Sequence, residues 1–149
     1  MKRIAFLLML IATMLCAGCG PSSADTAALV ARDATVSANA TATMLEGMQS
    51  VALVLYRAEQ EIQIQIAVSN GEGKDSAVHR VAVVRKTWEP VWDAFAKARL
   101  SYSVLVAVIN DKNATQAGIQ SAVTEQSRRM TTVTNELSIA RSRVQGGIQ

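Results

Sequence analysis

A chain of 149 residues with 15 basic and 12 acidic side chains is one domain by size and carries a formal net charge of only +3. That balance excludes the strongly basic surface of a nucleic-acid-binding protein. Both cysteines, Cys16 and Cys19, lie near the amino terminus, so no disulfide can staple the rest of the chain. Two prolines and 4% aromatics, with abundant Ala, Val, Ile and Leu, favour an all-α fold with an aliphatic core.

Lys2 and Arg3 form a short positive segment, and residues 4–15 follow with no charge and Thr13 as the one polar side chain. Ala17 and Gly18 then precede Cys19. This is the layout of an export signal that is cut, because a resident membrane helix needs about 20 apolar residues. Lys2 and Arg3 leave with it, so 13 basic residues face 12 acidic ones and the mature side chains carry +1.

Leu15-Cys16-Ala17-Gly18-Cys19 resembles the lipobox of bacterial lipoproteins. The resemblance covers residues 1–20 and implies that Cys19 gains a diacylglycerol thioether. It further implies that the signal, 1–18, is removed with Cys16 in it, and that the new amino group is acylated by a fatty acid such as palmitate. Cys16 stands where many lipoboxes carry Leu, and is itself small and apolar. Gly20 is not the aspartate that retains such proteins in an inner membrane. The resemblance therefore implies an outer-membrane anchor facing the periplasm, or a cell-membrane anchor in a Gram-positive host. The rival reading is a C-x-x-C redox or metal site, but that needs a helix start within a packed fold, and zinc needs a second cysteine pair.

Residues 19–26 read as a lipidated polar tether and residues 27–149 as an elongated, antiparallel, coiled-coil-like three-helix bundle. The first helix is expected over 27–70. Met44, Met48, Val51, Leu55, Ala58 and Ile62 step by four and three as its seam, which Leu29, Val36 and Ala40 continue weakly. Leu53, Ile64 and Val68 form a second, outer stripe, which either widens the core face or is exposed for a partner. Asn70-Gly71 stops the helix, with a loop over 70–76. Residues 61–68 alternate like a strand, so a β-hairpin over 61–84 is the alternative.

The second helix is expected over 77–110, with Ser76 as its cap. Its seam is Val84, Trp88, Val91, Phe95, Ala98, Tyr102, Leu105 and Ile109. Pro90 either kinks it without breaking it, the reading favoured here, or stands in the first turn of a new helix capped by Thr87. The third helix is expected over 114–145, capped by Asn113, with Ile119, Val123, Ser127, Met130, Val133, Leu137, Ala140 and Val144 as its seam. Arg141 and Arg143 suit its last turn, and Gly146-Gly147 end it. The extra length of the first helix makes a stalk at the membrane end. The loop at 70–76 and the carboxyl terminus then point away from the membrane.

Few residues offer chemistry. His79 is the lone histidine and lacks partner ligands, so no metal and no cofactor is expected, and there is no G-x-S-x-G elbow for a hydrolase. Glu89 and Asp93 lie one turn apart but between Lys86 and Lys97, the pattern of a solvated face. Trp88 and Trp92 flank Pro90, and they either fill the core at the bend or line a pocket or partner contact. Arg128, Arg129, Arg141 and Arg143 give the third helix a basic tendency, suited to anionic lipid or peptidoglycan acids.

These readings converge on a non-catalytic lipoprotein that docks a partner in the cell envelope, either another envelope protein or peptidoglycan. The candidate contacts are Trp88, Trp92, Leu53 and Ile64. The alternatives are a carrier that opens at Trp88 and Trp92 for an apolar ligand, and a phage-encoded lipoprotein acting in lysis or superinfection exclusion.

Overall fold

The computed structural model describes residues 23–146, and Cys16, Cys19, Gly20 and Gly147 lie outside them. The fold is an all-α bundle of three helices, the second of them bent, and no strand occurs among the described residues. The first helix, α1, runs Ser23–Ser69. The bent helix consists of α2, Lys74–Thr87, and α3, Glu89–Asn110. The last, α4, runs Gln116–Gly146. Residues 61–84, where a β-hairpin was the alternative, are helical on both sides of the turn at 70–73.

Local chemistry explains each boundary. At the end of α1, Gly71 takes φ 67°, a left-handed conformation that costs glycine nothing. It lets the Gly71 N–H donate to the Val68 carbonyl at 3.0 Å and the Glu72 N–H to the Ala67 carbonyl at 2.8 Å, the Schellman pair. The expected cap Ser76 lies inside α2. Gly73 is the N-cap, and the Ser76 hydroxyl donates to the Glu72 carboxylate instead. Thr115, not Asn113, opens α4, its hydroxyl accepting the Gly118 N–H at 3.1 Å. Asn113 is held in a turn by its own N–H, which donates to the Asp111 carboxylate at 2.9 Å.

At Pro90 the chain bends without leaving helical geometry. Trp88 has φ −93° and ψ −7°, its N–H still donates to the Val84 carbonyl at 3.1 Å, and the Trp92 N–H donates to the Trp88 carbonyl at 3.1 Å. Pro90 falls in the first turn of α3, where its missing donor costs least. Thr87 does not cap α3, because its hydroxyl donates back to the Val84 carbonyl at 2.8 Å.

The seam expected of the bent helix is its buried face: Val84, Trp88, Val91, Phe95, Ala98 and Leu105 are all buried, with Ala94 beside them. The seam of α1 is rotated from the expected one. Ala34, Ala38, Leu45, Ala52 and Ala67 are buried, whereas Leu29, Val36, Met44 and Val51 are more than half exposed. The two registers share Met48, Leu55 and Ile62 and the same alternating step, so periodicity alone does not separate them. Packing does, because small Ala38 and Ala52 let neighbouring helices approach closely while the rings at Tyr56 and Trp88 fill the wider level. In α4, Ser127 is exposed and Gln126 is buried in its place. That choice keeps the strict step of four and three from Ile119 to Val144.

The third helix does not reach the distal loop. α4 packs on α1 and α3, while its backbone does not approach α2. The bundle is therefore three helices thick up to the bend. Beyond it, α2 and the end of α1 form a two-helix arm, and α2 at 14 residues makes that arm about 20 Å long.

The Gln126 amide is 2% exposed, and neither its nitrogen nor its oxygen makes a protein hydrogen bond. Stripping an amide of water without replacing its partners is costly. Gln126→Leu should therefore raise stability by about 1–2 kcal/mol, seen as a higher urea midpoint at an unchanged slope. A lower midpoint would mean that the amide holds the bundle together.

Candidate functional site

An aromatic cluster and three polar partners meet at the bend. Trp88 is 0% exposed, and a buried indole needs an acceptor for its N–H. Glu59 of α1 supplies it, with Oε2 2.5 Å from Nε1. Its other oxygen lies 3.7 Å from Nε of Arg143 on α4. Arg143 also donates through Nη2 to the Thr87 carbonyl at 3.3 Å and places its guanidinium 5.9 Å from the Trp88 ring centre. One carboxylate, one indole and one guanidinium thus tie α1, the bend and α4 together.

Around them is a ring cluster. Tyr56 meets Trp88 and Trp92 edge-on at 5.5 and 5.8 Å, Trp88 and Trp92 lie 5.6 Å apart, and Phe95 follows at 6.2 Å from Trp92. Trp88 and Trp92 therefore pack in the core, as one of their two readings held. Two clefts lie nearby and neither is lined by these indoles. One, of about 220 Å³, runs between α3 and α4 past Lys97, Ser101, Glu125 and Arg129. The other, of about 370 Å³, lies between α1 and α2 along the arm and is lined by Glu59, Gln63, His79, Arg80 and Thr87.

The exposed candidates lie elsewhere. Leu53 and Ile64 are 41% and 43% exposed, and Val68 more so, which settles the outer stripe as surface rather than core. Their spacing of eleven residues, three helical turns, puts them on one side of α1. The bend and this stripe do not form one site. The carboxylates Glu89 and Asp93 are exposed, and Asp93 pairs with Lys97 at 2.6 Å on a solvated face. His79 is exposed, and no group of three His, Cys, Asp or Glu side chains placed to hold a metal occurs among the described residues.

A second polar cluster closes the distal loop. Glu72 accepts from Arg80 Nε at 2.8 Å and Nη2 at 2.5 Å, from the Ser76 hydroxyl, and from the Asn70 amide at 3.2 Å. The Arg80 hydrogen bonds foremost, then those of Ser76 and Asn70, hold its carboxyl down at about 2. On α4, Glu125 binds Arg128 at 2.8 Å and Arg129 at 2.6 Å, and Arg128 foremost pulls it down to about 2. Two of the four arginines of the expected basic face of α4 thereby share one carboxylate of their own helix, which offsets one of their two charges.

Sequence reasoning missed Glu59 and the role of Arg143. The usable signal was that a seam tryptophan must find an acceptor, and Glu59 stands on the true seam between Leu55 and Ile62. Gln126 was missed because a small polar residue next to it looked cheaper to bury. Comparison with protein-family models, curated proteins and solved structures finds no match to this chain.

Two consequences can be measured. Trp88→Phe keeps most of the ring contacts but leaves the Glu59 carboxylate without its N–H donor. It should cost about 1–3 kcal/mol in denaturant unfolding, while Trp88→Ala should cost about 3–5 kcal/mol. Because the Glu72 carboxyl is held below its ordinary 4.5, its contribution to folding is present above that pH and is lost as pH falls from about 4.5 to about 2. Amide exchange in residues 70–76 should accelerate, relative to the intrinsic rate, across that interval. In Glu72→Gln the same amides should exchange faster at neutral pH and show a flatter acid dependence.

Proposed function

We propose that this chain is a lipid-anchored cell-envelope protein without catalytic activity of its own, which holds a rigid helical surface at a set distance from a membrane. The observation that carries this reading is the ordered run from Lys2 to Cys19, ending in the lipobox-like Leu15-Cys16-Ala17-Gly18-Cys19. The architecture supports it. No helix among the described residues is long and apolar enough to cross a bilayer. Attachment then falls to the acyl chains at Cys19, and two or three of them hold durably at about 0.8 kcal/mol per buried CH2. α1 begins at Ser23, four residues after Cys19, and its 47 residues span about 70 Å. Among the side chains described, the first buried one is Ala34, which supports reading the first turns of α1 as a stalk. Above it stand the bundle, the ring-filled bend and the two-helix arm.

In this arrangement the acyl chains fix position, the stalk sets reach and the exposed helical faces meet an envelope partner. Gly20, where an aspartate would favour retention in an inner membrane, supports an outer-membrane anchor facing the periplasm, or a cell-membrane anchor in a Gram-positive host.

The test is fractionation with radiolabelled palmitate in the native host. The parent chain should incorporate label and sediment with membranes, whereas Cys19→Ser should lose the label and keep its signal. A Cys19→Ser chain that is cut normally and remains with membranes, beside a parent that takes up no label, would overturn the anchor.

A further inference from the structure

The apolar core of the bundle does not run unbroken to the turn at 111–115. One connected cluster of buried side chains joins Val84, Trp88 and Ala140 at the bend to Leu45, Ala98 and Val133, with Tyr102 and Met130 packed against it. Leu105 and Ile119 are buried too, at 1% and 4% exposure, but stand outside that cluster, as do Ala34 and Ala38. Along α4 from Met130 toward the turn, the next buried side chain is Gln126 and the one after it is Ile119. The unpartnered Gln126 amide therefore lies where the connected core stops. A polar layer there gives up apolar contact, and the amide gains hydrogen bonds from water wherever the layer opens.

α1 closes weakly over the same end. It buries Ala34 and Ala38 there, one methyl group each, whereas near the bend it packs Leu55 and Tyr56. Residues 34–43, ATVSANATAT, hold alanine as their one strong helix former. Thr35, Thr41 and Thr43 turn their hydroxyls onto the carbonyls of Ala31, Ser37 and Asn39, a bond that slightly weakens a helix. Ile109 and Val123, further seam residues of α3 and α4 at this end, are half-buried. The two helices of the hairpin, by contrast, lie against each other more extensively than either lies against α1.

We propose that the end of the α3–α4 hairpin, residues 102–126, is a gate that parts from α1 as a unit while the ring-filled level at the bend stays closed. Gln126 sets the boundary. Opening gives its amide water on both polar atoms and uncovers Leu105 and Ile119. The gate lies at the opposite end of the bundle from the two-helix arm, and it does not depend on an anchor at Cys19.

Native-state hydrogen exchange of the full chain tests the gate, with circular dichroism to check that each variant folds. In the parent, the slowest amides of 103–122 should exchange at least about tenfold faster, relative to their intrinsic rates, than the slowest of 91–98. Trp88→Phe weakens the ring-filled level. It should speed exchange in 91–98 about tenfold and leave 103–122 unchanged. Gln126→Leu removes what opening gains and should slow exchange in 103–122 about tenfold. Equal acceleration of both segments in Trp88→Phe would mean that the bundle opens as one cooperative body, and would overturn the gate. So would a Gln126→Leu chain whose 103–122 amides exchange at the parent's rate.

Discussion

The Trp88 indole, wholly buried with its N–H on Glu59, joins all the helices at one level. Glu59 comes from α1, Trp88 sits between α2 and α3, and Arg143 brings α4 onto both. This junction fixes the angle of the bent helix together with the packing of both its halves on α1, since Pro90 only permits the bend and does not direct it. The junction also sets where the third helix ends, because Val144 is the last buried residue of α4 and its neighbour Arg143 already reaches Thr87.

From that level the molecule divides into two regions of different character. Toward the amino-terminal end of α1 it is a three-helix bundle closed by alanines and aliphatic side chains, with no covalent staple within the described residues. Beyond the bend it is a two-helix arm, closed at its tip by the Gly71 turn and the Glu72–Arg80 pair. The arm has fewer apolar neighbours per residue than the bundle, so local opening is expected to be easiest there. On the proposed reading, the arm is the part that faces outward, and it is more adaptable than the bundle between it and the stalk.

Much of this was legible in the residues. The bent helix announced its core face from Val84 to Leu105, and Gly71 and Pro90 marked the turn and the bend. The face of α1 was not legible, because its apolar residues occupy two stripes whose steps are identical and which share Met48 and Leu55. Size decides between them: alanine at positions 38 and 52 lets the helices close, and a count of hydrophobic residues undervalues alanine. The same blindness hid Glu59 and Gln126, polar side chains at core positions that a periodicity search passes over. The true partner of Trp88 follows only from asking where a buried N–H must go.

The proposed role depends on an anchor at Cys19 more than on any contact inside the bundle, since such an anchor would give the long axis its direction and its neighbours. Intact-mass spectrometry of the protein extracted from its native membrane tests this directly. The account predicts a chain that begins at Cys19 and is heavier than its residues by a diacylglyceryl group, with or without an added acyl chain. A chain that retains Met1, or one cut elsewhere with Cys19 at its unmodified mass, would contradict it.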